Sequence, residues 1–387
     1  MRRALLTWFR THARPLPWQG ARDPYPIWVS EVMLQQTQIS TVIPYYQRFL
    51  EHFPALPDLA KAPLERVLEL WSGLGYYRRA RHLHQAAQMV TEKLGEKFPE
   101  DYVGLRALPG IGDYTARALL SMAFNQPFAV LDGNVARVVA RLLAVRGHLH
   151  QSQFRGTVET ELAKLLSRRK PGNFNQAVMA LGQTLCLPRG PRCSACPLKP
   201  WCRAFRSSHP EAFPLPRPRR AGESRDLAAA LLRRGARVAL VRGLEEGLLD
   251  DLWNFPSALG GSPAEARERL REKLYRLTGS PISLGEPAAE FLHGITYRAI
   301  RARIYPVEGP FETKRGSVRW LPLPRLPGAA ISQLARKIAL KIQEPGLGMR
   351  GHTRRRASAR RPVSPEYPIP GLGSPAVHRL RGFSALQ

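Results

Sequence analysis

Acidic residues are scarce in this 387-residue chain. Thirty Asp and Glu stand against 59 Lys and Arg, a formal charge of +29. That imbalance points to a polyanionic partner, either nucleic acid or an acidic membrane surface. Arginine bias in genome base composition is the blander source of the same charge. Long apolar runs are missing, and none reaches the length needed to cross a bilayer as a helix. The N-terminal MRRALLTWFR has the start of a signal peptide, but its apolar stretch is too short and Arg10 ends it without a small-residue cleavage site. An intracellular protein is the expectation. Cysteine is rare too. The four present, Cys186, Cys193, Cys196 and Cys202, fall within seventeen residues. A secreted disulfide framework would scatter them, so the cluster reads as a metal site. What is plentiful is apolar content, 44%, which fills cores and excludes wholesale disorder. The length is too great for one ordinary core, so two domains plus extensions are expected.

Residues 1–205 read as an all-α domain. VSEVMLQQTQISTVIPYYQRFLEHF has apolar residues at helical spacing, with Ser30 as a capping residue at its start. APLERVLELWSGLGYYRRARHLHQAAQMVTEKL predicts two helices around a Gly73–Gly75 turn, and four more are expected at 115–124, 134–145, 156–167 and 174–185. FPLPRPRR lies in a Pro/Arg-rich linker over 206–225. The period then changes. LAAALLRRGARVALVRG predicts a hairpin turning at Arg234–Gly235, TYRAIRARIYPV alternates as a strand does, and SPAEARERLREKLYRLTG predicts one helix. Residues 226–342 are thus an α+β domain. From 343 to 387 the chain is aperiodic Pro, Gly and Arg, a basic tail that reads as disordered.

Three patterns carry chemistry. In LPGIGDYTARALL, Pro109 and Gly110 make a tight turn, Gly112 permits close approach, and a helix begins near Tyr114. Free N–H groups at such a hairpin suit a phosphate, although Pro-Gly turns also join ordinary helices. Asp132, 22 residues beyond Gly110, precedes a helix in VLDGNVARVVARLL. It is a favoured N-cap, and donors at a helix start also hold a carboxylate ionised, as a developing sugar cation requires. Asn134 can orient it or a water. Glu31 reads equally as a first-turn glutamate on a solvated face. Flanked by Val29, Val32 and Met33, it also suits an acid of raised pKa, and cleavage of an N-glycosidic bond needs one acid and one stabilising carboxylate. The cysteine spacing C-x6-C-x2-C-x5-C fits four thiolates around zinc or an iron–sulfur cluster and does not choose between them.

The hairpin and its following aspartate resemble the helix-hairpin-helix DNA glycosylase superfamily. DPYPIWVSEVMLQQTQISTVIPYY, LWSGLGYYRRARHLHQAA, LPGIGDYTARAL and VLDGNVARVVARL are similar to the MutY-type adenine DNA glycosylases, almost without gaps over 1–205 and more weakly beyond. The resemblance implies removal of adenine mispaired with 8-oxoguanine or guanine in duplex DNA. It implies Glu31 as the acid protonating adenine N7 and Asp132 as the stabiliser of the oxocarbenium ion. Tyr114 and Asn134 would support them, and Gln36 and Tyr76 would wedge into the duplex. Leu108, Gly110 and Gly112 become DNA-backbone contacts. The four cysteines become ligands of a [4Fe-4S] cluster that pins a basic loop with Arg189, Arg192 and Lys199. Endonuclease III-type relatives use a lysine in the hairpin's helix, where this chain has Tyr114. A Schiff base is excluded there, and monofunctional base removal is expected.

The second domain resembles a Nudix-like module without the paired glutamates of a metal-dependent hydrolase. In this family it reads 8-oxoguanine through a Phe-Ser-His loop. Here Ile295, Thr296 and Tyr297 occupy those places, so Thr296 keeps a hydroxyl while Tyr297 departs from histidine. A monomer in a bacterial cytoplasm, associated with the nucleoid, completes the expectation. The rivals are an endonuclease III-like pyrimidine or thymine glycosylase and a non-catalytic DNA-binding iron–sulfur protein.

Overall fold

The computed structural model describes residues 1–215, 222–242, 252–295, 298–307, 312–313, 318–329 and 331–343. Thr296 and Tyr297 lie outside the described residues, as do linker residues 216–221 and all of the tail beyond 343.

The first half is helical, as expected. It opens with α1 (Arg2–His12), α2 (Pro24–Leu34), α3 (Ile39–His52), α4 (Leu56–Lys61), α5 (Leu64–Trp71), α6 (Arg78–Lys93) and α7 (Tyr102–Arg106). It continues with α8 (Asp113–Met122), α9 (Gly133–Leu143), α10 (Ser152–Leu165), α11 (Pro171–Thr184) and the short α12 (Arg203–Arg206). Two hydrophobic cores separate these helices into lobes. One gathers α2 to α6 around Trp28, Phe49 and Trp71. The other gathers α9, α10 and α11 with Leu5 of α1 around Val139, Val158 and Phe174. Helix α8 joins both, with Leu119 in the first core and Ala118 in the second.

The structure corrects the reading of 29–53. That stretch is two helices rather than one, broken at Gln35–Gln38, where Gln36 takes a left-handed φ of +57°. Ser30 is no cap. The helix starts six residues earlier at Pro24, capped by the Asp23 carboxylate accepting from Tyr25 N at 2.9 Å. Ser30 is buried mid-helix, its hydroxyl donating back to the Ile27 carbonyl. Capping-type residues inside a helix commonly bond this way, which sequence alone does not separate from a true cap.

Among the described residues the second domain holds a seven-stranded mixed sheet: β1 (Glu223–Arg234), β2 (Arg237–Arg242), β3 (Trp253–Asn254), β4 (Ser257–Gly260), β5 (Ala289–Ile295), β6 (Arg298–Val307) and β7 (Arg319–Pro322). The expected hairpin joins β1 to β2, with Gly235 at φ +58° in the turn. Strand β1 begins inside the stretch expected as linker. It pairs in parallel with β6 from Glu223 against Arg298 to Leu232 against Val307. A strand buried along LAAALL needs cover on both faces, and helix α13 (Pro263–Thr278) supplies one through Ala266, Leu270 and Leu274. Ser262 caps α13, and Gly279 ends it at φ +73°. Its three glutamates are each paired on the helix itself, Glu265 with Arg269, Glu268 with Arg271 and Glu272 with Arg276. The last described helix, α14 (Gln333–Lys341), packs back against the helical half.

Candidate active site

A cavity of about 690 Å³ opens between the two helical lobes, within the range of small-molecule sites. Glu31, Gln36, Tyr114, Asp132 and Asn134 all line it. The structure thus gathers five of the residues singled out from sequence at one place. Tyr76, Leu108, Gly110 and Gly112 lie outside its walls.

Glu31 owes its position to the composition of α2. PYPIWVSEVML is apolar around nearly its whole circumference, so the helix is buried on all sides. Glu31, in its last turn rather than its first, has no solvated face. Only 5% of the residue is exposed, and Oε2 is buried without a hydrogen-bond partner. Burial pushes its carboxyl up to about 7; the Tyr114 hydroxyl opposes that rise, and the charge of Asp132 adds to it. Burial, followed by the Glu31 and Asp132 charges, holds the Tyr114 phenol well above its ordinary range, so it stays neutral, and its hydroxyl also points at Met179 Sδ at 4.0 Å.

The end of α2 is capped from elsewhere. Arg79, on α6, donates Nη1 to the carbonyls of Val32 at 2.8 Å and Met33 at 2.9 Å, and also to Gln35. These are the carbonyls a helix C-terminus leaves orphaned. Its Nη2 bonds Thr37 Oγ1 and the Gly75 carbonyl. One guanidinium therefore fixes the segment bearing Glu31 and Gln36 against the loop bearing Tyr76, whose ring it also faces at 5.3 Å. Burial lowers Arg79 to about 10, still charged at neutral pH. Sequence reading missed this residue, because nothing in YYRRARHL marks one arginine of the run as buried.

Asp132 caps α9 as expected. Its Oδ1 accepts from Val135 N at 2.6 Å and its Oδ2 from Asn134 Nδ2 at 2.9 Å. The Asn134 carbonyl oxygen accepts in turn from Arg137 Nη2, and Arg137 also donates to the backbone carbonyls of Gly182 and Cys186. Gly182 makes this approach possible, since a Cβ there would sit 2.7 Å from Asn134 Cβ. Arg137 and Gly182 were also missed. Both act through backbone contacts between α9 and α11 that no local pattern encodes.

The hairpin forms as the sequence implied. Gly110 has φ +74° and lies against His82, Gly112 caps α8, and nothing lies within 4 Å of where a Gly112 Cβ would be. The Leu108 side chain is buried in the core, so only its backbone is offered outward. Gln36 and Tyr76 are both exposed non-glycine residues in the left-handed region, at φ +57° and +50°. Such backbone is held only where its surroundings over-determine it.

The four cysteines are free thiols, and Cys186, Cys196 and Cys202 pack at the edge of the second core. Burial raises Cys196 to about 11, and Cys186, Cys202 and Cys193 add to that rise, so the four lie within electrostatic reach of one another. Arg141 Nη1 lies 3.4 Å from Cys186 Sγ and donates to the Leu187 carbonyl, while its own carbonyl accepts from Cys202 Sγ. Among the described residues no three His, Cys, Asp or Glu are gathered as a site for a single metal ion. A multi-iron cluster, with one thiolate per iron, needs its ligands further apart than one tetrahedral ion does. The donor set and the neighbouring guanidinium fit such an anionic group.

Residues 29–167 match the family model of HhH-GPD superfamily base excision DNA repair proteins. The adenine DNA glycosylase of Mus musculus is 34% identical over 408 residues, 91% of this chain and 79% of that protein. This chain belongs to the adenine DNA glycosylase family. The family's human adenine DNA glycosylase is 34% identical over 411 residues, 90% of this chain and 75% of that one. A solved thermostable thymine-DNA glycosylase is similar at a TM-score of 0.49 and 27% identity, covering 53% of this chain and 95% of that one. As a member of the adenine DNA glycosylases the chain is a DNA N-glycosylase of base excision repair, acting on duplex DNA. The non-catalytic reading is set aside, and the basic charge has its polyanion. Among the described residues no helix is long and apolar enough to cross a membrane.

Proposed function

We propose that the enzyme removes adenine mispaired with 8-oxoguanine or guanine, without nicking the strand. The observation that carries this reading is the pair Glu31 and Asp132, on opposite lobes and facing one cavity, with Tyr114 in its wall and within electrostatic reach of both. Adenine is flipped out of the duplex into the cavity. Glu31, protonated near neutral pH, gives its proton to adenine N7. The C1′–N9 bond breaks, and the electron pair leaves with the base. Asp132, held by Val135 N and Asn134, faces the developing oxocarbenium ion. Water then adds to C1′ and gives its proton to a carboxylate, leaving an abasic site. Tyr114 offers no amine, so no Schiff base forms and the strand stays intact.

Gln36 and Tyr76 occupy the gap left in the duplex, while the backbone of Leu108 to Gly112 holds a phosphate. Cys186, Cys193, Cys196 and Cys202 hold a [4Fe-4S] cluster, which when bound fixes the basic loop carrying Arg189, Arg192 and Lys199 against the DNA backbone. The Nudix-like domain reads the opposite base, with Thr296 as one contact. The enzyme works as a monomer in the bacterial cytoplasm, on nucleoid DNA.

The test is a single-turnover assay on end-labelled duplexes holding A opposite 8-oxoguanine, A opposite G, A opposite T, and T opposite G, each read with and without hot alkali. Product from the first two that appears only after alkali is expected. Cleavage without alkali would overturn the monofunctional reading, and product from T opposite G would overturn the adenine pocket.

A further inference from the structure

The loop that carries Tyr76 is held by both domains. From the helical side, Tyr45 Oη donates to the Ser72 carbonyl, the Tyr77 hydroxyl accepts from Gly73 N, and Trp71 Nε1 and Arg79 Nη2 both donate to the Gly75 carbonyl. From the sheet domain, Gln333 Nε2 donates to the Gly73 carbonyl at 2.8 Å, and Arg336 Nη2 donates to Ser72 Oγ at 2.5 Å. Arg336 also reaches the Ala329 carbonyl, toward which the buried Ser72 hydroxyl turns. Gly73 sits at φ +107°, where a Cβ would lie 2.1 Å from Tyr45 Oη and 3.2 Å from Gln333 Nε2. The two domains thus close on this turn from either side.

We propose that Gln333 and Arg336, on α14 of the sheet domain, are positioning residues for the Ser72–Tyr76 loop and set how Tyr76 meets the duplex. This role rests on Tyr76 being the wedge proposed above. Tyr76 stands exposed at φ +50°, a conformation an isolated tyrosine rarely adopts. The strain is held by what grips the preceding turn, and part of that grip comes from the domain that faces the opposite strand. A merely adhesive role would let α14 dock anywhere on the helical surface. Instead its two donors reach the carbonyl and hydroxyl of the turn that precedes the wedge. The sheet domain therefore does more than read the opposite base: it also shapes how Tyr76 enters the duplex.

The experiment is a double-mutant cycle in the full-length chain. Gln333→Ala/Arg336→Ala, Tyr76→Ala and the triple variant are compared with wild type on an A opposite G duplex with 2-aminopurine beside the adenine. Duplex affinity and the fluorescence rise on insertion are read by stopped flow before excision. The α14 variant should lose affinity by about five-fold, the scale of a lost hydrogen bond, together with most of the fluorescence rise. Neither loss should grow further in the Tyr76→Ala background. Losses that add in the triple variant, or an unchanged fluorescence rise in the α14 variant, would overturn the proposal while leaving the wedge intact. If Tyr76→Ala itself leaves the rise unchanged, the wedge reading fails instead, and the proposal with it. Should the α14 pair not fold, Gln333→Ala alone, at an exposed position, completes the same cycle.

Discussion

Asn134 holds Asp132 with one end of its amide and is held by Arg137 at the other, both contacts at 2.9 Å. Because an amide has a donor end and an acceptor end, this arrangement fixes which way Asn134 points. The Asp132 carboxylate is thereby tied, through one arginine, to the Cys186 carbonyl at the start of the cysteine loop.

Arg137→Ala should therefore cost activity out of proportion to its distance from the cavity. It leaves the Gly182 and Cys186 carbonyls and the Asn134 oxygen without their shared donor. Each such buried loss costs about 1–3 kcal/mol, so a single-turnover rate lower by at least about ten-fold is expected, with the iron–sulfur absorption retained. A rate within two-fold of wild type would show that Asn134 orients itself unaided.

Glu31 makes a pH prediction with a definite sign. Its carboxyl is raised from 4.5 to about 7, chiefly by burial. As the proton donor it is competent below that value, so the single-turnover rate should fall about ten-fold per pH unit above it. Stability moves the same way. A raised carboxyl favours the protonated folded state, so the folded protein loses stability as pH rises from about 4.5 through about 7. Glu31→Gln should abolish excision, keep duplex binding and raise Tm at pH 8, where the charged form is costly. Residual turnover near wild type would remove Glu31 from the role.

Gly182→Ala tests the packing behind Asp132. The new methyl would lie 2.7 Å from Asn134 Cβ and 3.1 Å from its carbonyl oxygen. One of these partners is backbone, so relief requires α9 and α11 to part. Overpacking of this kind costs about 1–3 kcal/mol. Chemical denaturation should show that loss, and excision should fall because Asn134 is displaced. A variant of unchanged stability and rate would mean the two helices slide freely.

Much of this site was legible because its chemistry lies in short runs. Asp132 and its cap, the Gly110–Gly112 turn and the four cysteines are each set by neighbours in sequence, and the structure keeps the local geometry. Glu31 was found through chemistry, since its position at the start or end of a helix was misjudged. Ser30 was misjudged with it, because a serine bonding back to Ile27 and a serine capping a helix share one sequence pattern. Arg79, Arg137, Arg336 and Gly182 were not legible at all. Their partners are backbone carbonyls, a hydroxyl or an amide on distant elements, and in a chain with 59 basic residues nothing local separates a buried guanidinium from a surface one.

The cysteine loop carries the last prediction. Burial, and then its three neighbours, raise the Cys196 thiol to about 11, an arrangement unfavourable to four free thiolates and relieved when a cationic iron core takes up their charge. Cys196→Ser should remove the visible charge-transfer band of the cluster. Arg141 would keep its carbonyl contacts at Leu187, Pro188 and Phe213, so the helical lobe should remain folded by circular dichroism. The basic loop would lose its pin, and duplex affinity should weaken with a shallower dependence on salt, as phosphate contacts are lost. An unchanged absorption band would take Cys196 out of the ligand set. A lost band with unchanged affinity and salt slope would separate the cluster from DNA binding.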